Sequence, residues 1–206
     1  HDERTAKEEV FKFDGGLAEF VKYLNREEKV LHHPLHIDKV VDDVRVEIAL
    51  QYTTSEEERV RCYTNNAFNS IGGTHLSGFR TALTRTLNGY GTRQNLFKNV
   101  EPTGEDYREG LTVLLSVLVP EPQFDSQEKK RLNNLEVEGI VSGVVGEVLG
   151  KYLEENPKDA QTIMKKALLA AEAREAASKA KKALKDRKSI LSGGGLPGKL
   201  FDCTAR

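Results

Sequence analysis

Four groups of residues in this 206-residue sequence have types and spacings that could carry chemistry. Gly193-Gly194-Gly195-Leu196-Pro197-Gly198-Lys199 satisfies the GxxxxGK spacing of a phosphate-cradling loop. Such a loop must follow a strand, open a helix with free backbone N–H groups, and carry Ser or Thr beside the Lys for magnesium. Here a basic helical stretch precedes it, Pro197 removes a donor, and Leu200 stands where the hydroxyl belongs, so the spacing lacks its context. His32, His33 and His36 form an HHxxH cluster, but Pro34 breaks helical spacing and the cluster holds no Cys or carboxylate. It reads as a solvated or core-satisfied histidine loop. His75 and Ser77 lack the spacing of a nucleophile elbow, so a hydrolytic triad is unsupported. The fourth group is electrostatic. Between Lys158 and Lys188 ten Lys and Arg face four Asp and Glu, a basic stretch that could neutralise phosphates of a polyanion or serve as a solvated helix.

The elements that must position these groups follow from periodicity. Leu17, Phe20, Val21 and Leu24 recur at helical spacing after Gly15-Gly16. Val44, Val46, Ile48 and Leu50 alternate with Arg45, Glu47, Ala49 and Gln51, which predicts a strand with one wet face. A second strand, Val60 to Thr64, follows the acidic turn Thr54 to Glu58 and is expected to close a hairpin with the first. Gly72-Gly73 breaks the chain, and Leu76, Phe79, Leu83 and Leu87 set a helix that Thr74 is placed to cap. Leu111 to Val119, ending at Pro120, has the profile of a buried strand. A loop to Lys130 leads to a helix around Val137 to Leu153. Asn156-Pro157 then opens a long helix to about Lys188, with Ile163, Ala167, Ala170 or Ala171, and Ala177 on its packed face. Ser192-Gly193-Gly194-Gly195 reads as a linker. The string αββαβαα, without internal repeats, predicts an α+β fold.

Composition bounds the partners. Lys plus Arg number 31 and Asp plus Glu 32, with 38% hydrophobic residues, the balance of a chain with one ordinary core. His1 to Arg59 is acidic, 15 acids against 9 bases, opposite in sign to the long helix. The longest predominantly apolar run, Leu111 to Val119, is far below the roughly 18 residues of a membrane span. Cys62 and Cys203 could form at most one bridge, which fits a reducing compartment. The start His1-Asp2-Glu3-Arg4 carries neither an initiator Met nor a signal-peptide pattern, so the chain is expected to be a piece of a longer protein.

Several stretches, in order, are similar to one family. Tyr63-Thr64-Asn65-Asn66 leads to Gly72-Gly73-Thr74-His75-Leu76-Ser77-Gly78-Phe79-Arg80, then Thr84-Arg85-Thr86-Leu87-Asn88 and Arg108-Glu109-Gly110-Leu111. Pro122-Gln123-Phe124 precedes Ser126-Gln127-Glu128-Lys129, and Leu196-Pro197-Gly198-Lys199-Leu200-Phe201-Asp202-Cys203 resembles the junction before a metal-binding cleavage domain. From about Phe13 the chain resembles the transducer domain of the gyrase B family of type IIA DNA topoisomerases. The Arg-Glu-Gly-Leu and Thr-Arg-Thr-Leu-Asn runs favour gyrase over topoisomerase IV, which stays an alternative beside a basic nucleic-acid-binding module and an autonomous nucleotidase.

The resemblance implies a ribosomal-protein-like βαβ transducer domain over 1–156 with a left-handed crossover, a long basic helix over 157–191, and a linker over 192–206 entering the absent cleavage domain. It implies ATP and Mg2+ as cofactors of the full enzyme, with none bound by the fragment alone and no hydrolysis by it. Partners implied are double-stranded DNA, a gyrase A subunit, an upstream ATP-binding domain and a second copy of the full protein, with no membrane. A cytoplasmic, nucleoid-associated setting follows, an organellar origin being also open. In the family a Gln-Thr-Lys loop reaches the terminal phosphate of ATP. The matching residues are Gln127 and Lys129, with Glu128 in place of Thr and expected to point away from the nucleotide. Arg80 matches an arginine that faces the DNA-carrying cavity, where a surface salt bridge is its plain alternative. No catalytic or metal-ligating residue is expected within the chain.

Overall fold

A computed structural model of the chain describes residues 15–98 and 100–192, and side chains as far as Lys185. The Gly193 to Lys199 motif, the 192–206 linker beyond its first residue, and Cys203 lie outside the described residues.

Apolar alternation builds the sheet. Val44, Val46, Ile48 and Leu50 of β2 (Val44–Tyr52) are at most 3% exposed and line the main core. β2 pairs antiparallel with β1 (Leu35–Val41) through a two-residue turn, Asp42-Asp43, both at positive φ as a tight hairpin of this twist requires. His36, read from the sequence as part of a histidine loop, therefore stands on a strand. On its other side β2 pairs antiparallel with β6 (Leu111–Leu118), which pairs parallel with β3 (Arg59–Thr64). β3 turns at Asn65-Asn66 into the short β4 (Ala67–Phe68), giving the order β1-β2-β6-β3-β4. The expected β2–β3 hairpin is therefore corrected, because β6 lies between those strands. Leu111 to Leu115 are buried without a break, and a strand apolar on both faces takes a central position where both can be covered.

Two helices cover one face. α2 (Thr74–Arg93) buries Phe79, Ala82, Leu83 and Leu87, and α3 (Leu135–Glu155) buries Val137, Val141, Val145, Leu149 and Leu153. They approach so closely that a Cβ on Gly78 would stand 2.4 Å from the Glu138 carbonyl oxygen. Thr74 does not cap α2. Gly73 occupies that position with no side-chain cap, and Thr74 Oγ1 is buried without a partner.

α1 (Gly16–Leu24) covers part of the opposite face, packing Val21 on Ala49 and Leu114. Beneath it runs a buried polar row: Asn25 Nδ2 donates to Gln51 Oε1 at 2.9 Å, and Thr112 Oγ1 donates to Asn25 Oδ1 at 2.7 Å. The expected wet face of β2 is thus wet only at Arg45 and, in part, Glu47.

α4 (Pro157–Ser192) opens at the Asn156-Pro157 break. Ala160, Ile163, Met164, Ala167, Ala170 and Ala171 are buried, whereas Ala177, expected on the same stripe, is exposed. Packing therefore ends about one turn before Arg174. The result is an α+β architecture, a mostly antiparallel sheet with helices on both faces and one long helix leaving the body.

Candidate functional site

The Lys129 loop is built from both of its ends. Asn134, 3% exposed, accepts a hydrogen bond from the Gln123 N–H at 2.7 Å and donates to the Glu121 carbonyl at 3.1 Å, closing the loop's base. The returning limb, β7 (Arg131–Leu132), pairs in parallel with β5 (Gly72–Gly73) just ahead of α2. Gly73 has φ 142°, and a Cβ there would lie 2.2 Å from the Leu132 carbonyl oxygen, so only glycine admits this contact. The Gly72-Gly73 break read from the sequence is thus the seat of the loop.

At the tip, Gln127, Glu128 and Lys129 are all exposed. Lys129 adopts φ 54°, a backbone conformation uncommon for a residue with Cβ. Its N–H donates to the Ser126 carbonyl at 3.0 Å, and its own carbonyl accepts from Asn69 Nδ2 at 2.6 Å. Glu128 makes an ion pair with Lys130, so the acid beside Lys129 is already engaged. The Lys129 ammonium lies 5.7 Å from the Phe124 ring centroid, a cation–π contact that leaves its hydrogens free for an anion. A mobile-stemmed point charge on a fixed backbone suits phosphate oxygens.

Arg80 sits elsewhere, within α2. Its guanidinium grips Glu58 with two Nη2 contacts of 2.9 and 3.0 Å, and Arg108 Nε reaches the same carboxylate at 3.3 Å. The plain salt bridge expected as the alternative for Arg80 is present, and its partner comes from the acidic turn before β3. With two guanidiniums on one carboxylate the cluster retains net positive charge at a half-buried position. No hydrogen bond or ion pair among the described residues joins Arg80 to the Lys129 loop.

Neighbouring contacts tie α4 to the same region. Lys166 Nζ donates to the Ser55 carbonyl at 2.6 Å. Arg174 donates to Asp106 through Nε at 3.0 Å and Nη2 at 3.0 Å, and Thr103 donates to the same carboxylate through its N–H at 2.7 Å. Burial of Asp106 works to raise its pKa, but the donors from Arg174 and Thr103 together outweigh it and hold the carboxyl below the usual range. Beyond this tether the side chains of Lys181, Lys182 and Lys185 are exposed.

Among the described residues the three histidines do not gather into a group disposed to hold a metal. His32 is buried, its Nδ1 lies 2.6 Å from the His33 carbonyl, and its Nε2 accepts the Tyr52 N–H at 3.0 Å, which fixes a neutral tautomer. Burial lowers its pKa. His36 lies on β1 beside Glu47, and among the described residues no group of three or more His, Cys, Asp or Glu is disposed to hold a metal. Cys62 is buried and reduced, its thiol pushed up to about 12 by burial, the profile of a packing residue. Sequence reasoning missed Asn69, Glu58 and Asp106. Each acts on a residue distant in the chain, Asn69 on Lys129, Glu58 on Arg80 and Asp106 on Arg174.

Comparison with known proteins follows the same line. The model of a family described as DNA gyrase B matches residues 16–183. A DNA gyrase B protein of Cytophaga hutchinsonii is 50% identical over 199 residues, 95% of this chain and 41% of that protein. One from Myxococcus xanthus is 47% identical over 208 residues, 100% of this chain and 25% of that protein. The chain thus spans well under half the length of these relatives. Among solved structures, the 43K ATPase domain of Thermus thermophilus gyrase B superposes with TM-score 0.78 at 40% identity, covering 86% of this chain and 48% of that one. A topoisomerase IV ATP-binding domain of Francisella tularensis gives TM-score 0.69 at 26% identity, covering 83% and 47%.

Proposed function

The chain belongs to the DNA gyrase B family, and from that premise we propose that it is the transducer half of a gyrase B ATPase unit, relaying ATP binding and hydrolysis into DNA strand passage. Coverage of 48% of the Thermus ATPase-domain chain supports this reading, since this sequence corresponds to about half of such a unit. The observation that carries it is the Lys129 loop. An exposed ammonium is displayed on a loop held just ahead of α2 by β5–β7 pairing, with the adjacent acid neutralised by Lys130. In this reading Lys129 and Gln127 contact the terminal phosphate of ATP bound in the upstream domain. Loss of that phosphate removes the contact and frees one domain to move against the other.

The remaining assignments belong to the same proposal. Residues 1–156 form the transducer core, 157–191 the lever helix, and 192–206 the passage to a cleavage domain. The βαβ unit made by β3, α2 and β6 carries the crossover, for which the family resemblance implies a left-handed turn. ATP and Mg2+ serve the whole enzyme, and the chain's contribution to the nucleotide is a cation rather than metal ligands. The whole enzyme introduces negative supercoils into double-stranded DNA with a gyrase A partner, as a dimer, in the cytoplasm at the nucleoid. Arg80, oriented by Glu58, faces DNA in this reading and attracts backbone phosphates without reading sequence.

The test restores the upstream ATP-binding domain by fusion and measures ATP turnover with and without Lys129→Ala. The chain alone is expected to be silent, the fusion active, and the variant fusion impaired. Turnover by the chain alone, or a fusion indifferent to Lys129, overturns the reading. The exposed bases Lys179, Lys181, Lys182 and Lys185 favour a second reading, a nucleic-acid-binding helix. It requires salt-dependent DNA binding by the chain that charge reversal at those positions abolishes.

A further inference from the structure

Asn69 is 2% exposed and sits between β4 and β5, and both ends of its amide are engaged. Its Oδ1 accepts the hydroxyl of Thr64 at 2.6 Å, and its Nδ2 donates to the carbonyl of Lys129 at 2.6 Å, sixty positions along the chain. Its own backbone is pinned as well. The Asn69 N–H donates to the Cys62 carbonyl at 2.8 Å, and its carbonyl accepts the Gly72 N–H at 3.0 Å. Thr64 is fully buried on β3, so this amide is a rigid link between the central sheet and the loop tip. The Lys129 carbonyl fixes which way the amide faces, because it can only accept and so must meet the NH2 end. That leaves Oδ1 to accept the hydroxyl proton of Thr64.

The residue so held has φ 54°, a conformation that a lysine adopts only when its surroundings enforce it. Besides the Asn69 contact, the Lys129 backbone is restrained by its N–H to Ser126 at 3.0 Å. The next residue is fixed too, its carbonyl accepting the Ile71 N–H at 3.0 Å. The backbone sets the direction in which a side chain leaves it, so what holds the Lys129 carbonyl also sets where its flexible stem starts. We infer that Asn69 is a positioning residue for Lys129, a buried amide through which β3 sets the direction in which that lysine is presented. The inference rests on the reading of Lys129 as the phosphate-facing residue, and names the part that orients it. No other residue type of this size does the same. A carboxylate at the site would face the Lys129 carbonyl with an acceptor, and an apolar side chain would leave both the hydroxyl and the carbonyl unmatched.

The experiment uses the protein with its upstream ATP-binding domain in place and compares Asn69→Asp, Lys129→Ala and the double variant. Thr64→Ser and Thr64→Val complete the set. Asn69→Asp is expected to reduce kcat/KM for ATP hydrolysis roughly ten- to a hundredfold, the scale of an ångström-sized misplacement of a contacting group. On the Lys129→Ala background the same change should add little further loss, because the ammonium whose backbone Asn69 holds is gone. Thr64→Ser should retain turnover and Thr64→Val should fall with Asn69→Asp. A general structural lesion would lower the melting temperature and multiply with Lys129→Ala instead. If Lys129→Ala cripples turnover while Asn69→Asp is harmless, or the two losses multiply, the positioning role is overturned and the reading of Lys129 stands. If Lys129→Ala is itself harmless, both fall together.

Discussion

His75 at the start of α2 should make this domain lose stability in mild acid by an amount that one residue accounts for. Its side chain is 0% exposed, and neither ring nitrogen has a hydrogen-bond partner. Burial alone pushes its pKa down to about 4. In the unfolded chain the same ring titrates near 6.5. Between those values the unfolded state binds a proton that the folded state refuses, so stability rises with pH across the window and is lost as pH falls toward 4. The slope is roughly 1.4 kcal/mol per pH unit, and about 3 kcal/mol separates neutral pH from the bottom of the window. Replacing the ring with an untitratable one, His75→Phe, carries its own packing cost, but that cost does not vary with pH. Urea denaturation at half-unit steps from pH 7 to 4 should therefore show the wild-type curve falling more steeply than the variant by this amount. His32, also lowered by burial, is common to both proteins and cancels in the difference. Parallel curves, or an imidazole of His75 that titrates near 6.5 in the folded protein by NMR, would refute the reasoning.

Tyr52→Phe removes the hydroxyl that donates to the buried Tyr107 carbonyl at 2.6 Å, and should cost about 1–3 kcal/mol in urea denaturation for the acceptor left unmatched. Asp106→Asn should flatten the acid limb below about pH 4, where the wild-type carboxyl, held below its usual range, delays the loss to lower pH. An identical acid limb in the variant would show that this carboxyl does not couple to folding. In α3 nothing lies within 4 Å of a Cβ built on Gly139 or Gly143, so alanine at either should stabilise by about 0.5–1 kcal/mol. Gly78→Ala in the facing helix should destabilise by more than that gain, its Cβ being directed at the Glu138 carbonyl, and thermal melts should show the opposite signs.

Local periodicity determined most of the elements. The stripe Leu17, Phe20, Val21 and Leu24 set α1, the alternation from Val44 to Leu50 set β2, and the unbroken apolar run from Leu111 set β6. The ordered motifs around Gly72-Gly73 and Ser126 to Lys129 were sufficient to point to the family. Each of these signals is carried by neighbours within a few residues, which is why it can be read along a line.

Tertiary structure decided which surfaces meet. Whether β3 pairs with β2 or with β6 depends on which strand needs covering on both faces, and the doubly apolar β6 took the centre. The end of the packed stripe on α4 was set by where the body stops, so Ala171 is buried and the chemically identical Ala177 is exposed. Glu58 under Arg80, Asp106 under Arg174 and Asn69 under Lys129 arise from contacts across 22, 68 and 60 positions. Most polar side chains withdrawn from water are stabilised by a partner, and which partner is at hand is settled only once the sheet and helices have closed around them.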